Sequence, residues 1–460
     1  MSATPEINSL LSADGRAAPA SEAGGDRPAL PGAGDVSELA AGLRPLGKFL
    51  PFSPPSVGEL EARYLLEALE SGWLTAGPRT EKFEGVMARH LGTSGALALS
   101  SCTAALHLGL KVMGLGPGQA VLTTPLTFVS TAHAAVYNGA RPLLADVSPD
   151  TGNLDPGKVA EFLAGKCRVG PDGRPVHRET GLTITAMAPV HYGGHPVDLP
   201  GLWEIAEKFR LGMLEDAAHA VGTTWNGLPV GHPDLRPKSC SGLPSLCAFS
   251  FYATKNVAAG EGGLLTSSDP VLLDRARRLS AYGISDARRI WGRYAPRGTW
   301  DYDVAEVGFK CNFTDLQAAL GLAQMERLGE LQEKRARNAA VWTEALAPWR
   351  DYLELPATRP GAGHAWHLYP LRLRPENLKI TRDQLVPALK ALNVGTSVMF
   401  IPIHHHGCYR DIQTLGKGEL AVAEDFFRRE ISLPVSPAHS PEAIGEAAEA
   451  LVSLIRRHRR

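Results

Sequence analysis

Two side chains decide what chemistry this chain could do: a lysine enclosed by apolar neighbours and an aspartate at the end of an apolar run. Lys255 lies in Cys247-Ala-Phe-Ser-Phe-Tyr-Ala-Thr-Lys-Asn256, just before the glycine-rich Gly260-Glu-Gly-Gly263. An ammonium ion among low-dielectric side chains is disfavoured, so its pKa falls and the free amine becomes a nucleophile able to form a Schiff base. The competing reading is a surface lysine at a strand-to-loop corner. Asp216 closes Gly212-Met-Leu-Glu-Asp216, with His219 three residues on; an acid there either caps a helix or faces a cationic ring nitrogen. Ser101-Cys102-Thr103 follows the apolar stretch 96–100 and opens a helical pattern. It is either an ordinary N-cap or a phosphate seat built on unpaired backbone N–H groups and the positive end of the helix dipole. Phe128, just past a further strand, either stacks on a ligand ring or packs in the core.

The elements that must position these residues follow a β/α alternation. Strands are expected over 96–100, 120–125, 141–147, 182–190 and 247–252, and helices over 101–110, 127–136 and 202–209. That is the pattern of an α/β sheet whose ligands gather at the carboxyl ends of the strands. Residues 165–181 read as a loop. Ahead of the sheet, Ser56 with Glu59 three residues on resembles a capping box for a helix over 57–69, and a second helix is expected over 81–91. Leu316, Ala319, Leu320, Ala323 and Leu331 share one face of a helix expected over 315–331. Strands are expected over 367–373 and 395–403.

Composition excludes several classes. The 460 residues carry a formal net charge of -1, with 44% hydrophobic and 21% charged residues. A soluble globular protein of two or three domains is expected, with no nucleic-acid partner. No apolar run is long enough for a membrane span. The six cysteines show neither zinc spacing nor a paired framework, which suits reduced thiols in a cytoplasm. Residues 1–45 read as a disordered tail, 46–290 as a large domain and 291–460 as a smaller one. No metal site is expected. His191 and His195 flank loop glycines, and His404-His405-His406 is expected to be extended, with adjacent rings on opposite faces.

In order and spacing these stretches resemble the DegT/StrS sugar aminotransferases, within the fold-type I pyridoxal-phosphate enzymes. The resemblance covers residue 49 to the C-terminus. It is carried by Ser71-Gly-Trp-Leu-Thr-Ala-Gly-Pro78, Ser101-Cys-Thr-Ala-Ala-Leu106, Glu215-Asp-Ala-Ala-His-Ala220, Phe249-Ser-Phe-Tyr-Ala-Thr-Lys-Asn256, Gly260-Glu-Gly-Gly263 and Thr314-Asp-Leu-Gln-Ala-Ala-Leu-Gly-Leu-Ala323. It implies a large three-layer α/β/α domain with a mixed, mostly parallel sheet, and a smaller α+β C-terminal domain. It implies pyridoxal 5'-phosphate as cofactor, with Lys255 holding the cofactor aldehyde and moving the substrate proton. Asp216 then stands beside the pyridine nitrogen, Phe128 on the ring, and His219 near the 3-hydroxyl side. Ser101, Cys102, Thr103 and Ser250 form the phosphate cup.

Two departures stand out. Cys102 occupies a position that is often glycine, and Lys310 one that is often asparagine and reaches the partner subunit's phosphate, so Lys310 or Asn312 is the candidate for that role. The family implies a homodimer with a shared site, an amino-acid donor, most often glutamate, and a nucleotide-linked keto sugar as acceptor. Arg288, Arg289, Arg293 and Arg297, in a basic and aromatic stretch over 285–300, either meet that anionic substrate or form a solvated face. The alternatives are a keto-sugar dehydratase, which replaces the lysine by histidine, a non-catalytic cofactor-binding regulator, which usually carries a DNA-binding module, and a metabolite-binding protein without covalent chemistry.

Overall fold

Helix α1 (Glu59–Glu70) begins two residues later than its capping pattern suggests. Its first turn is closed by Glu61, whose carboxylate accepts from the Gly58 N–H at 2.7 Å, not by Ser56 with Glu59. The Ser56 carbonyl is used elsewhere: it accepts from Gln324 at 2.9 Å and from Arg327. The computed structural model describes residues 39–284, 303–413, 416 and 418–460. Arg288, Arg289, Arg293 and Arg297 lie outside the described residues, as does the expected division at 290/291.

After α2 (Pro78–Leu91) the chain alternates strand and helix. In order come β1 (Gly95–Leu99), α3 (Cys102–Val112), β2 (Gln119–Thr123), α4 (Val129–Tyr137), β3 (Arg141–Leu144) and α5 (Pro156–Lys166). The stretch expected to be a loop then forms an antiparallel pair, β4 (Cys167–Val169) and β5 (Pro175–His177), which extends the sheet through Val176 and Thr183. Next are β6 (Thr183–Ala188), α6 (Leu199–Phe209) and β7 (Gly212–Asp216). A small hairpin, β8 (Thr224–Trp225) and β9 (Leu228–Pro229), precedes β10 (Ser245–Ser250), β11 (Gly263–Ser267) and α7 (Pro270–Ser280).

The central sheet has the order β1-β11-β10-β7-β6-β2-β3. Only β11 on this path runs against its neighbours, so the sheet is mixed and mostly parallel. Its central strands are apolar on both faces, as a sheet covered on two sides requires: Leu214, Leu246 and Leu265 pack with α3 on one face, while Ala98, Phe249 and Leu264 pack with α2 on the other. This α/β/α layering is the fold-type I architecture.

Beyond the sheet, the single helix expected over 315–331 is two, α8 (Asp315–Glu326) and α9 (Leu328–Leu346). They part at Arg327, whose guanidinium bonds Glu61 at 2.7 Å and Glu330 at 3.2 Å. An antiparallel sheet follows from β12 (Leu353–Glu354), β14 (Tyr369–Leu373) and β15 (Glu430–Leu433); β13 (Ala362–Gly363) pairs with β8 instead. With α9, α10 (Arg382–Ala391) and α12 (Pro441–His458) this sheet buries Trp342, Tyr369, Leu385 and Leu451, together with Ala40, Leu46 and Leu50 from the start of the described chain. Residues 395–403, expected as a strand, hold only a bridge from Ser397 to Ser432. The residues after them lead into α11 (Ala421–Arg429).

Asp315 explains one stretch of the sequence pattern. Fully buried at the start of α8, it accepts from the N–H groups of Arg79 (3.1 Å) and Thr80 (2.9 Å) and from the Thr80 hydroxyl (2.8 Å), closing the first turn of α2. Asp315→Ala leaves these donors without an acceptor and should cost about 2–4 kcal/mol of unfolding free energy. A lowered urea midpoint with unchanged slope is the expected result, and a loss below about 0.5 kcal/mol would contradict the role.

Candidate active site

The carboxyl ends of β1, β2, β7 and β10 bring the sequence candidates to one edge of the sheet. At the end of β1, Ser101 is extended and N-caps α3, its Oγ accepting from the Ala104 N–H at 3.1 Å. The hydroxyl hydrogen remains available to donate, as do first-turn N–H groups that have no intrahelical acceptor. Ser250, at the end of β10, is buried and its Oγ accepts from the Tyr252 N–H at 3.4 Å, so its proton is also available. The backbone of β11 presses against this corner: a Cβ on Gly263 would lie 2.3 Å from the Ser101 carbonyl carbon, and one on Gly262 2.5 Å from the Phe313 ring. Gly262 and Gly263 are there for close packing, whereas Gly260, with open space around it, is required by its φ of +78°.

Asp216 ends β7 and is buried. Its Oδ2 accepts from the Thr131 hydroxyl at 2.7 Å and its Oδ1 from the Ala218 N–H at 3.1 Å. Burial still raises its pKa, against the lowering effect of these bonds and of Lys255 and His191. His219 is buried as well, and burial first, then Lys255, drive its pKa well down. Its Nδ1 accepts from the Gly193 N–H at 3.2 Å, which leaves the proton on Nε2. The ring stacks on His367 at 4.2 Å and on Phe400 at 5.7 Å.

Lys255 follows β10 and is half-buried. Desolvation lowers its pKa to about 8, with the Asp216 carboxyl acting in the opposite direction. Among the described residues no carboxylate lies within ion-pair distance of it. Cys102 is buried at the first residue of α3, and burial, then Asp216, push its thiol well up, so it stays protonated and neutral. Thr103, the next residue of α3, is half-buried.

The remaining candidates stand further apart. Phe128 N-caps α4 with its ring 59% exposed, 6.1 Å from Phe400, so it faces open space and is not a core residue. Lys310 pairs by backbone with Ala281 and holds its ammonium 5.4 Å from the Tyr282 ring. Asn312 bridges to Leu99 and donates weakly to Thr75 at 3.4 Å. His191 is spent on Glu215 (3.0 Å) and the Val197 N–H (3.1 Å). His195 is spent on Pro196 (2.7 Å) and the Arg359 N–H (3.2 Å).

Sequence reasoning missed Thr131 and Asn256. Thr131 lies one helical turn beyond Phe128 and is bonded to Thr127 at 2.7 Å; that i,i+4 hydroxyl pair was the available signal. Asn256, beside Lys255, donates to the Ala365 carbonyl (2.9 Å) and to Gln332 (3.1 Å), and bonds the His367 ring (3.0 Å). It thereby ties the lysine loop to α9 and to the chain before β14.

These groups suit pyridoxal phosphate. A buried carboxyl whose pKa is raised lacks a cation, which a protonated ring nitrogen supplies. Free hydroxyl and N–H donors at a helix start suit a phosphate, and a desolvated amine suits an aldehyde. The fold and this constellation define a pyridoxal-phosphate-dependent transaminase of fold-type I.

The sequence model of the DegT/DnrJ/EryC1/StrS aminotransferase family matches residues 55–452, and the chain belongs to that family. It is 38% identical over 409 residues to the spore coat polysaccharide biosynthesis protein SpsC of Bacillus subtilis, covering 89% of this chain and 97% of that protein. It is 34% identical over 376 residues to the UDP-4-amino-4-deoxy-L-arabinose–oxoglutarate aminotransferase of Shewanella sediminis, covering 81% and 88%. Among solved structures, the aminotransferase TlmJ from Streptoalloteichus hindustanus superposes with a TM-score of 0.74 at 28% identity, over 89% of this chain and 99% of that one. The PLP form of a sugar aminotransferase from Streptococcus pneumoniae gives 0.75 at 25% identity, over 89% and 99%.

The Lys255 environment sets a pH dependence. With its pKa lowered from the ordinary 10.5 to about 8, the neutral amine is a minority below pH 8 and the majority above it. Uptake of pyridoxal phosphate by the apoenzyme should therefore quicken about tenfold per pH unit up to about pH 8 and then level. Between 8 and 10.5 the unfolded chain binds the proton that the folded lysine has lost, so apoenzyme stability should rise with pH across that window. An uptake rate still climbing at about pH 10 would contradict the lowered value.

Proposed function

We propose that this chain moves an amino group from glutamate to a keto sugar carried on a nucleotide, using Lys255, Asp216 and His219 as its reacting side chains. The observation that carries the reading is the desolvated Lys255 amine beside a buried Asp216, with no carboxylate paired to the lysine among the described residues. The donor and the nucleotide rest on the name of the Shewanella relative, which specifies a UDP-linked sugar and oxoglutarate. The lysine itself argues against the dehydratase alternative, which has histidine at that position.

When bound, pyridoxal phosphate supplies a sink for the electron pair released as the substrate α-proton leaves. The neutral Lys255 Nζ takes that proton and returns it. Asp216, oriented by the Thr131 hydroxyl and the Ala218 N–H, would hold a proton on the ring nitrogen. His219 is fixed as the Nε2–H tautomer by Gly193, so it offers one donor at a set position. The exposed Phe128 ring would offer a flat face to the cofactor, and the Ser101 and Ser250 hydroxyls, with the Cys102 and Thr103 N–H groups, would hold the phosphate.

A partner subunit fits this arrangement. Val304 and Val307 are exposed, as is Tyr282 beside Lys310, so a homodimer covering this face would bring Lys310 or Asn312 to the second site's phosphate. A cytoplasmic location suits six free thiols, and no described helix is long and apolar enough to cross a membrane.

The direct assay supplies glutamate and a UDP-linked 4-keto sugar to the purified protein and follows 2-oxoglutarate. Turnover is expected with the wild type. Asp216→Ala should slow it at least about a hundredfold, roughly 2.7 kcal/mol of barrier, while cofactor remains bound. Full activity in that variant would remove Asp216 from the mechanism, and transfer to free but not nucleotide-linked sugars would remove the nucleotide.

A further inference from the structure

Two of the three histidines expected to diverge along an extended segment converge instead. Residues Ile403–His405 form a 3₁₀ turn, which turns two consecutive imidazoles toward the same side. Their ring centroids lie 4.6 Å apart with the planes at 71°. Both Nε2 atoms converge on one oxygen of Glu424, at 2.5 Å from His404 and 2.7 Å from His405. The third member is thus not His406 but a carboxylate from α11, distant in sequence. Among the described residues this is the one group of three whose ligand atoms all lie within 4.8 Å of one another.

We propose that His404, His405 and Glu424 bind one zinc-class divalent cation. Two imidazole nitrogens and one carboxylate oxygen are the donor set of open zinc sites, and they disfavour calcium and magnesium, which take oxygen alone. Metal–ligand bonds of about 2.0–2.1 Å in a tetrahedron place ligand atoms about 3.3 Å apart, so the two imidazoles, now 2.5 and 2.7 Å from the Glu424 oxygen, need to draw back by about 0.6–0.8 Å. The side chains of His405 (37% exposed) and Glu424 (42% exposed) have the freedom to do so, and their open side leaves a fourth position for water. His404 is the less mobile ligand, its side chain only 10% exposed.

The backbones that carry these ligands are anchored to the sheet. The Ile403 N–H donates to the Pro125 carbonyl just past β2 (3.0 Å), while Asp146, just past β3, accepts from the Val422 and Ala423 N–H groups at the start of α11 (both 2.9 Å). The ion would clamp to α11 the segment that carries Phe400, the ring stacked on His219. The alternative occupancy of the same atoms is a proton-bridged His–Glu–His cluster, which needs no metal.

The test is zinc binding by the holoenzyme. Protein stripped with EDTA and dialysed is titrated with zinc chloride against a chromophoric chelator, and zinc per chain is then measured. One equivalent is expected for the wild type, weakened about tenfold or more in both His405→Gln and Glu424→Gln and unchanged in Cys408→Ser, an exposed thiol nearby in the chain. Circular dichroism confirms folding of each variant, and both altered ligands are exposed enough to be replaced without a buried void. No zinc taken up by the wild type, equal affinity in the two ligand variants, or loss of binding in Cys408→Ser would each overturn the site.

Discussion

A half-buried amine whose charged form is disfavoured by desolvation, with no carboxylate paired to it among the described residues, is the constraint on which the rest of this structure depends. Desolvation brings Lys255 to about 8 even with the attraction of Asp216 acting against it. Several features follow. Asp216 is buried and spends its oxygens on Thr131 and Ala218, so it does not form an ion pair with the lysine. Cys102 adds a neutral thiol, which keeps the corner apolar where a charged or strongly polar side chain would stabilise the ammonium. Asn256 braces the loop from the far side through Gln332, Ala365 and His367. Each is a local choice, and together they make the lysine reactive near neutral pH.

The geometry also separates two tasks within a few residues. The first turn of α3 and the end of β10 supply donors that are free of intramolecular acceptors, which suits an anion. The ends of β2 and β7 supply a flat ring and a buried acid, which suit a cationic heterocycle. A cofactor that joins a phosphate to a pyridine spans both, and the parallel strands place the two groups on one edge because all of them end there.

How much of this could be read in the sequence differs by kind of information. The β/α alternation was legible because buried parallel strands are short, continuous apolar runs, and 120–122 and 246–249 stand out as such. Lys255 and Asp216 were legible as candidates near the ends of strands but not in role: taken alone they read equally as a corner lysine and a helix cap, and only the family resemblance assigned them to a cofactor. The start of α1 was not, since Ser56 and Glu59 have the right spacing for a capping box, but Gln324 and Arg327 claim the Ser56 carbonyl from across the structure. The break at Arg327 depends likewise on Glu61, hundreds of residues earlier, so helical periodicity through 331 could not reveal it. The 3₁₀ turn at 403–405 was hidden for a related reason: its backbone is set by the contact of Ile403 with Pro125, and three histidines in a row carry no periodic signal of their own.

The most direct measurement of the central claim is where the cofactor becomes covalently fixed. Purified holoenzyme is reduced with sodium borohydride, digested and mapped by mass spectrometry. A single pyridoxyl group is expected, on the peptide containing Lys255, and none after Lys255→Ala. A pyridoxyl group on Lys310 or any other lysine, or a cofactor that is bound yet never fixed by reduction, would contradict it.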